Sequence, residues 1–258
     1  VDPAAQLDGW PVPAPPEGSV QARMARFSEG ADHARRRAIA EARLAALAPD
    51  ELRAEARARA AALLSGRDEV DVMAEPARAV PVAVLARALG VAGPDVDTAV
   101  AATRRLCLAL APPEGTEPAD GRPEVATLAG LLGMGDDPTG EEAVNVVALL
   151  FQAMDATAGL IGNALRAGDG PAPVSVVRTF RVGPDGNRCA VDLDDADPPL
   201  PFGAGRHRCP GEAHARALAA GVLDALTGAG AVAVDVDPAD ERRANLRIPV
   251  RIVVRLPR

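Results

Sequence analysis

Apolar positions along this chain recur mostly at helical spacing. From residue 19 to 65, Ala, Arg, Glu and Leu intermix with no proline except Pro49. The run predicts two helices separated near Ala48-Pro49-Asp50, with Asp50 as a candidate N-cap. Residues 79–91 predict a buried helix that starts at Pro81 and stops at Gly90. A further helix is predicted over roughly 94–110, then a loop rich in Pro, Gly and acid over 111–123. The strongest helical pattern covers 139–167. Thr139 and Glu142 form a candidate capping box, and Gly168-Asp169-Gly170-Pro171 stops the run. At ~1.5 Å per residue such a helix would span roughly 40 Å. Its most apolar part, Ala143 to Leu165, is interrupted by Asn145, Gln152, Asp155 and Asn163. That suits a buried central helix better than a membrane span.

Two β-branched runs, 174–182 and 188–193, flank Pro184-Asp185-Gly186-Asn187 and predict a hairpin. A helix follows Cys209 to about Thr227. The tail alternates apolar and polar residues over 231–236 and 246–256, which predicts two strands. Residues 1–18 are proline-rich, carry the only tryptophan, Trp10, and read as an irregular arm. With no internal repeat, residues 19–258 form one domain. The expected class is mainly α with small β-sheets (α+β).

Composition sets the setting. The chain has 258 residues, 48% of them hydrophobic, enough for one sizeable core. A net charge of −8 argues against non-specific nucleic-acid binding. Cys107, Cys189 and Cys209 are too few and odd in number for a disulfide framework, which fits a reducing cytoplasm. The start, Val1-Asp2-Pro3, lacks the basic region and apolar run of a signal peptide. A soluble cytoplasmic protein with no membrane partner is the expectation.

The candidate chemistry lies in Phe202-Gly203-Ala204-Gly205-Arg206-His207-Arg208-Cys209-Pro210-Gly211. Gly203 and Gly205 permit backbone angles closed to other residues, and Gly211 frees the turn into the next helix. Phe202 can pack under a flat ring. Cys209 stands before a helix N-terminus, where partial positive charge favours a thiolate. Such a thiolate is a good axial ligand for haem iron. A buried cysteine beside a flexible turn is the plain alternative.

The string resembles the cysteine-ligand loop of cytochromes P450, Phe-Gly-x-Gly-x-His-x-Cys-x-Gly, at every fixed position. Three other segments resemble that family in the same order. His33 and Arg37 stand four apart on a predicted helix, as in the family's propionate-binding pair. Asp155, Ala156 and Thr157 fall on its distal-helix motif, with Ala156 where a threonine is usual. Arg178, five residues after Pro173, matches a propionate-binding arginine, and His207 matches a third propionate donor. Each has an alternative. The basic residues suit a solvated surface, and Asp155 suits a salt bridge inside the core.

The resemblance implies a shortened P450 fold. It implies haem b on Cys209, cradled by Phe202, Gly203, Gly205 and Gly211 and by the cations His33, Arg37, Arg178 and His207. It implies monooxygenase or peroxygenase oxidation of a small-molecule or carrier-bound natural product. Asp155 and Thr157 would relay protons beside Ala156, and a ferredoxin-type electron donor is among the implied partners. The family's Glu-x-x-Arg helix is missing, since residues 164–209 hold no glutamate. Segment 111–138 is too short for two lid helices. These losses leave open a haem-binding protein without oxygenase turnover. They also predict an exposed distal pocket, covered by a second copy or another partner.

Overall fold

The computed structural model describes residues 2–168, 170 and 174–257, so Asp169 and Pro171 of the expected helix stop and Pro173 beside Arg178 fall outside it. The organising element is α7, Glu141–Ala167. Its side chains are apolar on nearly every face, so it must be enclosed, and 78% of its most apolar stretch is buried. The enclosing elements are α2 (Gly30–Ala45), α4 (Pro76–Ala88), α5 (Val96–Leu110), α6 (Arg122–Leu131) and α8 (Glu212–Gly228). α3 (Pro49–Leu64) lies along α8. Those two approach closely at Gly221, where a Cβ would stand 2.7 Å from the Cβ of Ala56.

The polar interruptions of α7 are docking points. Asn145 donates to the carbonyls of Glu141 and Arg23 and accepts from the Ala25 N–H, which pins the irregular segment before α2. Asn163 donates to the carbonyl of Arg247 at 3.1 Å and pins the tail. A buried amide without such partners would cost about 1–3 kcal/mol.

Two helix starts differ from the sequence expectation. The capping box at Thr139 does not form: Gly140 is the N-cap and makes no side-chain bond. The acidic residues there are used by α2 instead. Glu141 accepts from Arg35 at 2.6 Å and Arg36 at 2.8 Å, and Glu142 pairs with Arg43. Hydrogen bonds from Arg35 and then Arg36 hold the Glu141 carboxyl down at about 2. α4 starts at Pro76 rather than Pro81, which lies inside the helix amid residues that are all buried. Burial on every side outweighs the single hydrogen bond that Pro81 forgoes. Residues 19–29 form two short turns, Gln21–Arg23 and Ala25–Phe27, rather than helix, and Ala48 rather than Asp50 caps α3.

The strands follow the expected places. β2 (Arg178–Val182) and β3 (Arg188–Asp192) make the antiparallel hairpin. β4 (Val232–Val236) and β5 (Ile252–Arg255) pair antiparallel, and β5 also pairs with β1 (Glu69–Asp71), a three-residue strand too short to show in a periodicity. The order is β1-β5-β4, which leaves β4 at an edge with Val232, Val234 and Val236 exposed. The proline-rich arm is not wholly irregular. It contains α1, Pro3–Gly9, with Asp2 accepting from the Ala4 N–H as N-cap. Leu7 buries against Val191 and Leu193 of the hairpin region.

Candidate functional site

The loop 202–211 is built by its own backbone. Gly203 (φ +69°) and Gly205 (φ +63°) are left-handed, and the Cys209 N–H closes the loop onto the Phe202 carbonyl at 2.9 Å. A Cβ on Gly205 would meet Asp8 Oδ1 at 2.9 Å, so glycine also admits α1 to the loop. Gly211 differs from expectation. Its φ of −99° suits any residue, and it serves as N-cap of α8. The ring of Phe202 faces the Arg216 guanidinium, 4.6 Å from its centroid.

Cys209 is solvent-accessible, yet protein crowds it closely enough for burial to push its thiol up. The Gly211 N–H, Arg37 and Arg26 pull the other way, while nearby Glu212 adds to the rise. The thiolate bias expected of a helix N-terminus is therefore outweighed, and without a metal the group is a thiol. Arg26 has the same character: it is exposed, but desolvated enough to lose basicity, with Cys209 partly restoring it. Arg26 and Cys209 stand close enough for each to act on the other's charge.

The expected cations divide. His33 and His207 come together, ring centroids 4.2 Å apart. Arg37 braces the loop by donating to the carbonyls of Arg208 at 2.7 Å and Arg206 at 3.2 Å, while its Nε binds Glu41. Arg178 stands apart from them. It is exposed and pairs with Asp192 across the hairpin at 3.4 Å. The inward arginine of β2 is Arg181, 3% exposed, whose Nε has no partner. Alternation carries the signal for it. Val191 and Leu193 are buried, Thr179 pairs with Val191 and Arg181 with Cys189, so odd positions face inward. Arg26 and Glu29 carried no comparable mark. His214, near the loop in sequence, caps α2 through the carbonyls of Leu44 and Leu47.

Asp155 is buried and engaged. Arg78 donates to it at 3.1 Å, Arg243 lies 3.3 Å away, and both arginines also pair with Glu241. Thr157 is buried, while Ala156 is half-buried on a stripe with Gln152, Ala153 and Leu160 that is the most open side of mid-α7.

The course of the chain can now be compared with known proteins. No protein-family model matches it, and no curated protein matches it in sequence. Solved structures do. P450BioI, crystallised with an acyl carrier protein ligated to hexadec-9Z-enoic acid, aligns with TM-score 0.69 over 98% of this chain and 90% of that one. The identity is 17%. The enzyme CYP109B1 of Bacillus subtilis aligns with TM-score 0.70 at 17% identity, over 92% and 87%. A thermophilic cytochrome P450 of Sulfolobus tokodaii gives 0.68 at 20%, over 95% and 85%.

This chain has the cytochrome P450 fold.

The P450 fold implies haem, and the residues present fit it. A flat group with two carboxylates and a soft metal needs an accessible thiol and basic N–H donors with capacity to spare. Cys209 supplies the first, and buried Arg181, whose Nη1 donates to Thr179 Oγ1 and the Phe180 carbonyl while its Nε has no partner, is the clearest case of the second. The P450 fold here is reduced. Among the described residues, β2 and β3 are the only strands or helices between α7 and the turn Gly205–His207. Between residues 111 and 138 there is one helix, α6.

The paired histidines carry a pH prediction. Burial, then His33, lower the His207 pKa from 6.5 to about 4, with Arg181 adding and Glu29 opposing. Burial and Arg37 lower that of His33 as well. The unfolded chain thus takes up these protons first. Stability from His207 is complete above about 6.5 and is lost as pH falls towards about 4. Urea unfolding at pH 7.5 and 4.5 should differ by up to about 3 kcal/mol from this residue. The difference should shrink in His207→Gln, and equal slopes in the two proteins would refute it.

Proposed function

We propose that this protein is a haem-thiolate oxidoreductase. It holds haem b through Cys209 and oxidises a small-molecule or carrier-bound natural product. The observation that carries the reading is Cys209 itself: an accessible thiol on a glycine-built loop, in a P450 fold. When bound, haem supplies thiolate-ligated iron, which favours O–O cleavage. The chain's own residues bind and orient. His207, His33 and Arg181 would hold the propionates, and Arg37 holds the loop carbonyls that set Cys209. Arg181 would replace Arg178 in that role. Phe202, Gly203 and Gly205 would leave room for the flat group beside the loop.

Proton supply favours a peroxygenase. Asp155 is held by two arginines, Ala156 has no hydroxyl, and Thr157 is buried. A peroxide brings its own protons, so it needs no relay on α7. Dioxygen with a ferredoxin-type donor requires water or a substrate hydroxyl in that place. With α6 the one helix in segment 111–138, where two lid helices do not fit, the distal side suits a bulky, carrier-bound substrate that itself excludes water. The exposed valines of β4 suit a homo-oligomer, and the cytoplasm suits the free thiol.

A second reading, haem binding without turnover, is favoured by the missing helix between α7 and the cysteine loop. One experiment addresses both. The chain is loaded with haem, reduced and exposed to carbon monoxide, then assayed with hydrogen peroxide and an oxidisable dye. A strongly red-shifted Soret band with peroxide turnover supports the oxidoreductase. The band without turnover supports the second reading, and no thiolate band defeats both.

A further inference from the structure

The N-cap of α2 does not cap. Glu29 has the extended backbone of an N-cap (φ −128°, ψ 166°), yet its side chain binds no N–H of the helix. It joins the N-terminal arm to the cysteine loop instead. Oε1 accepts from the Val12 N–H at 2.7 Å and faces His207 Nε2 at 3.2 Å, and Oε2 accepts from Arg206 Nε at 2.9 Å. Arg206 also donates to the carbonyls of Asp8 and Trp10. Buried Arg181 and His33 feel the charge of Glu29, and the His33 ring lies tilted against His207. One carboxylate thus stands among four basic side chains, Arg206, His207, His33 and Arg181.

We infer that Glu29 is a built-in substitute for a haem propionate. It holds His207, which a propionate would take, and must withdraw for the cofactor to reach it. The inference rests on the haem reading above. Two carboxylates at His207 repel each other, so a propionate held there and Glu29 compete for it. Glu29 is free to leave: its side chain is 31% exposed, and retreat returns it to a helix N-terminus that favours an acid. That competition lowers the affinity for haem. Withdrawal also releases the Val12 N–H, so loading loosens the arm beside Trp10.

The test uses the cofactor-free chain and two metal-free ligands, protoporphyrin IX and its dimethyl ester. Binding is read from quenching of Trp10, the only tryptophan. Glu29→Gln should bind the diacid about tenfold more tightly, a change of about 1.4 kcal/mol, and the ester within about twofold of wild type. Glu29→Asp keeps the charge but is shorter and caps helices well, so it should shift affinity in the same direction if the amide variant fails to fold. Unchanged or weaker diacid binding, or equal gains for diacid and ester, overturns the substitute role alone. If neither porphyrin binds wild type or variants, the haem reading falls and this inference with it.

Discussion

Cys209→Ser removes the thiolate spectrum of the haem-loaded protein. The reduced carbon monoxide complex is expected to lose its red-shifted Soret band entirely. Haem affinity should drop about 100-fold or more, since even outer partners of a metal ligand are worth 10–100-fold. The substitution is sterically mild because Cys209 is accessible and its N–H, which closes the loop onto Phe202, is untouched. The other cysteines serve as controls. Cys107 is buried, its Sγ 3.5 Å from the Phe151 carbonyl, and burial with Asp155 nearby drives its thiol far up. Cys189 lies on the hairpin with its Sγ near the carbonyls of Arg181 and Asn187. Cys107→Ala and Cys189→Ser should both keep the band. A thiolate band that survives in Cys209→Ser sinks the assignment.

Asp155→Asn should destabilise the fold by about 3–5 kcal/mol, the usual result of breaking a buried ion pair from one side. Arg243 and Arg78 are only 8% and 12% exposed at their side chains, and Asp155 is 11%. Without the carboxylate, Glu241 alone must answer two arginines. The amide keeps the volume, so the loss reports charge and not a cavity. Urea unfolding at neutral pH measures it, and a change under about 1 kcal/mol would show that water screens the cluster. The distinction bears on mechanism. A proton relay would lower turnover at constant stability, whereas this network predicts lost stability first.

Much of the fold was readable because burial and periodicity coincide. α5, α8, the hairpin β2–β3 and β4 stand where their patterns place them, β5 takes only Ile252–Arg255 of the run 246–256, and in the loop 202–211 Gly203 and Gly205 have the left-handed backbone expected of glycine while Gly211 does not. What escaped the sequence has physical causes. The start of α7 was misplaced because Glu141 and Glu142 answer arginines on α2, a partner no local pattern reveals. α1 was missed because seven residues carry little periodicity and its one buried side chain, Leu7, meets the hairpin far along the chain. Arg178 follows from motif offset alone, whereas strand alternation, which turns Arg178 outward and Arg181 inward, marks the buried arginine of β2. The fate of Asp155 was a choice between relay and salt bridge until Arg78 and Arg243, from distant segments, were in place.

The contacts of Arg206 with Asp8 and Trp10 close loops of 198 and 196 residues. Contacts this far apart in sequence form late, because chain entropy must be spent before they return anything. During synthesis α1 therefore waits for nearly the whole chain before it can dock, and the brace that Arg206 lends to the loop before Cys209 is complete only then.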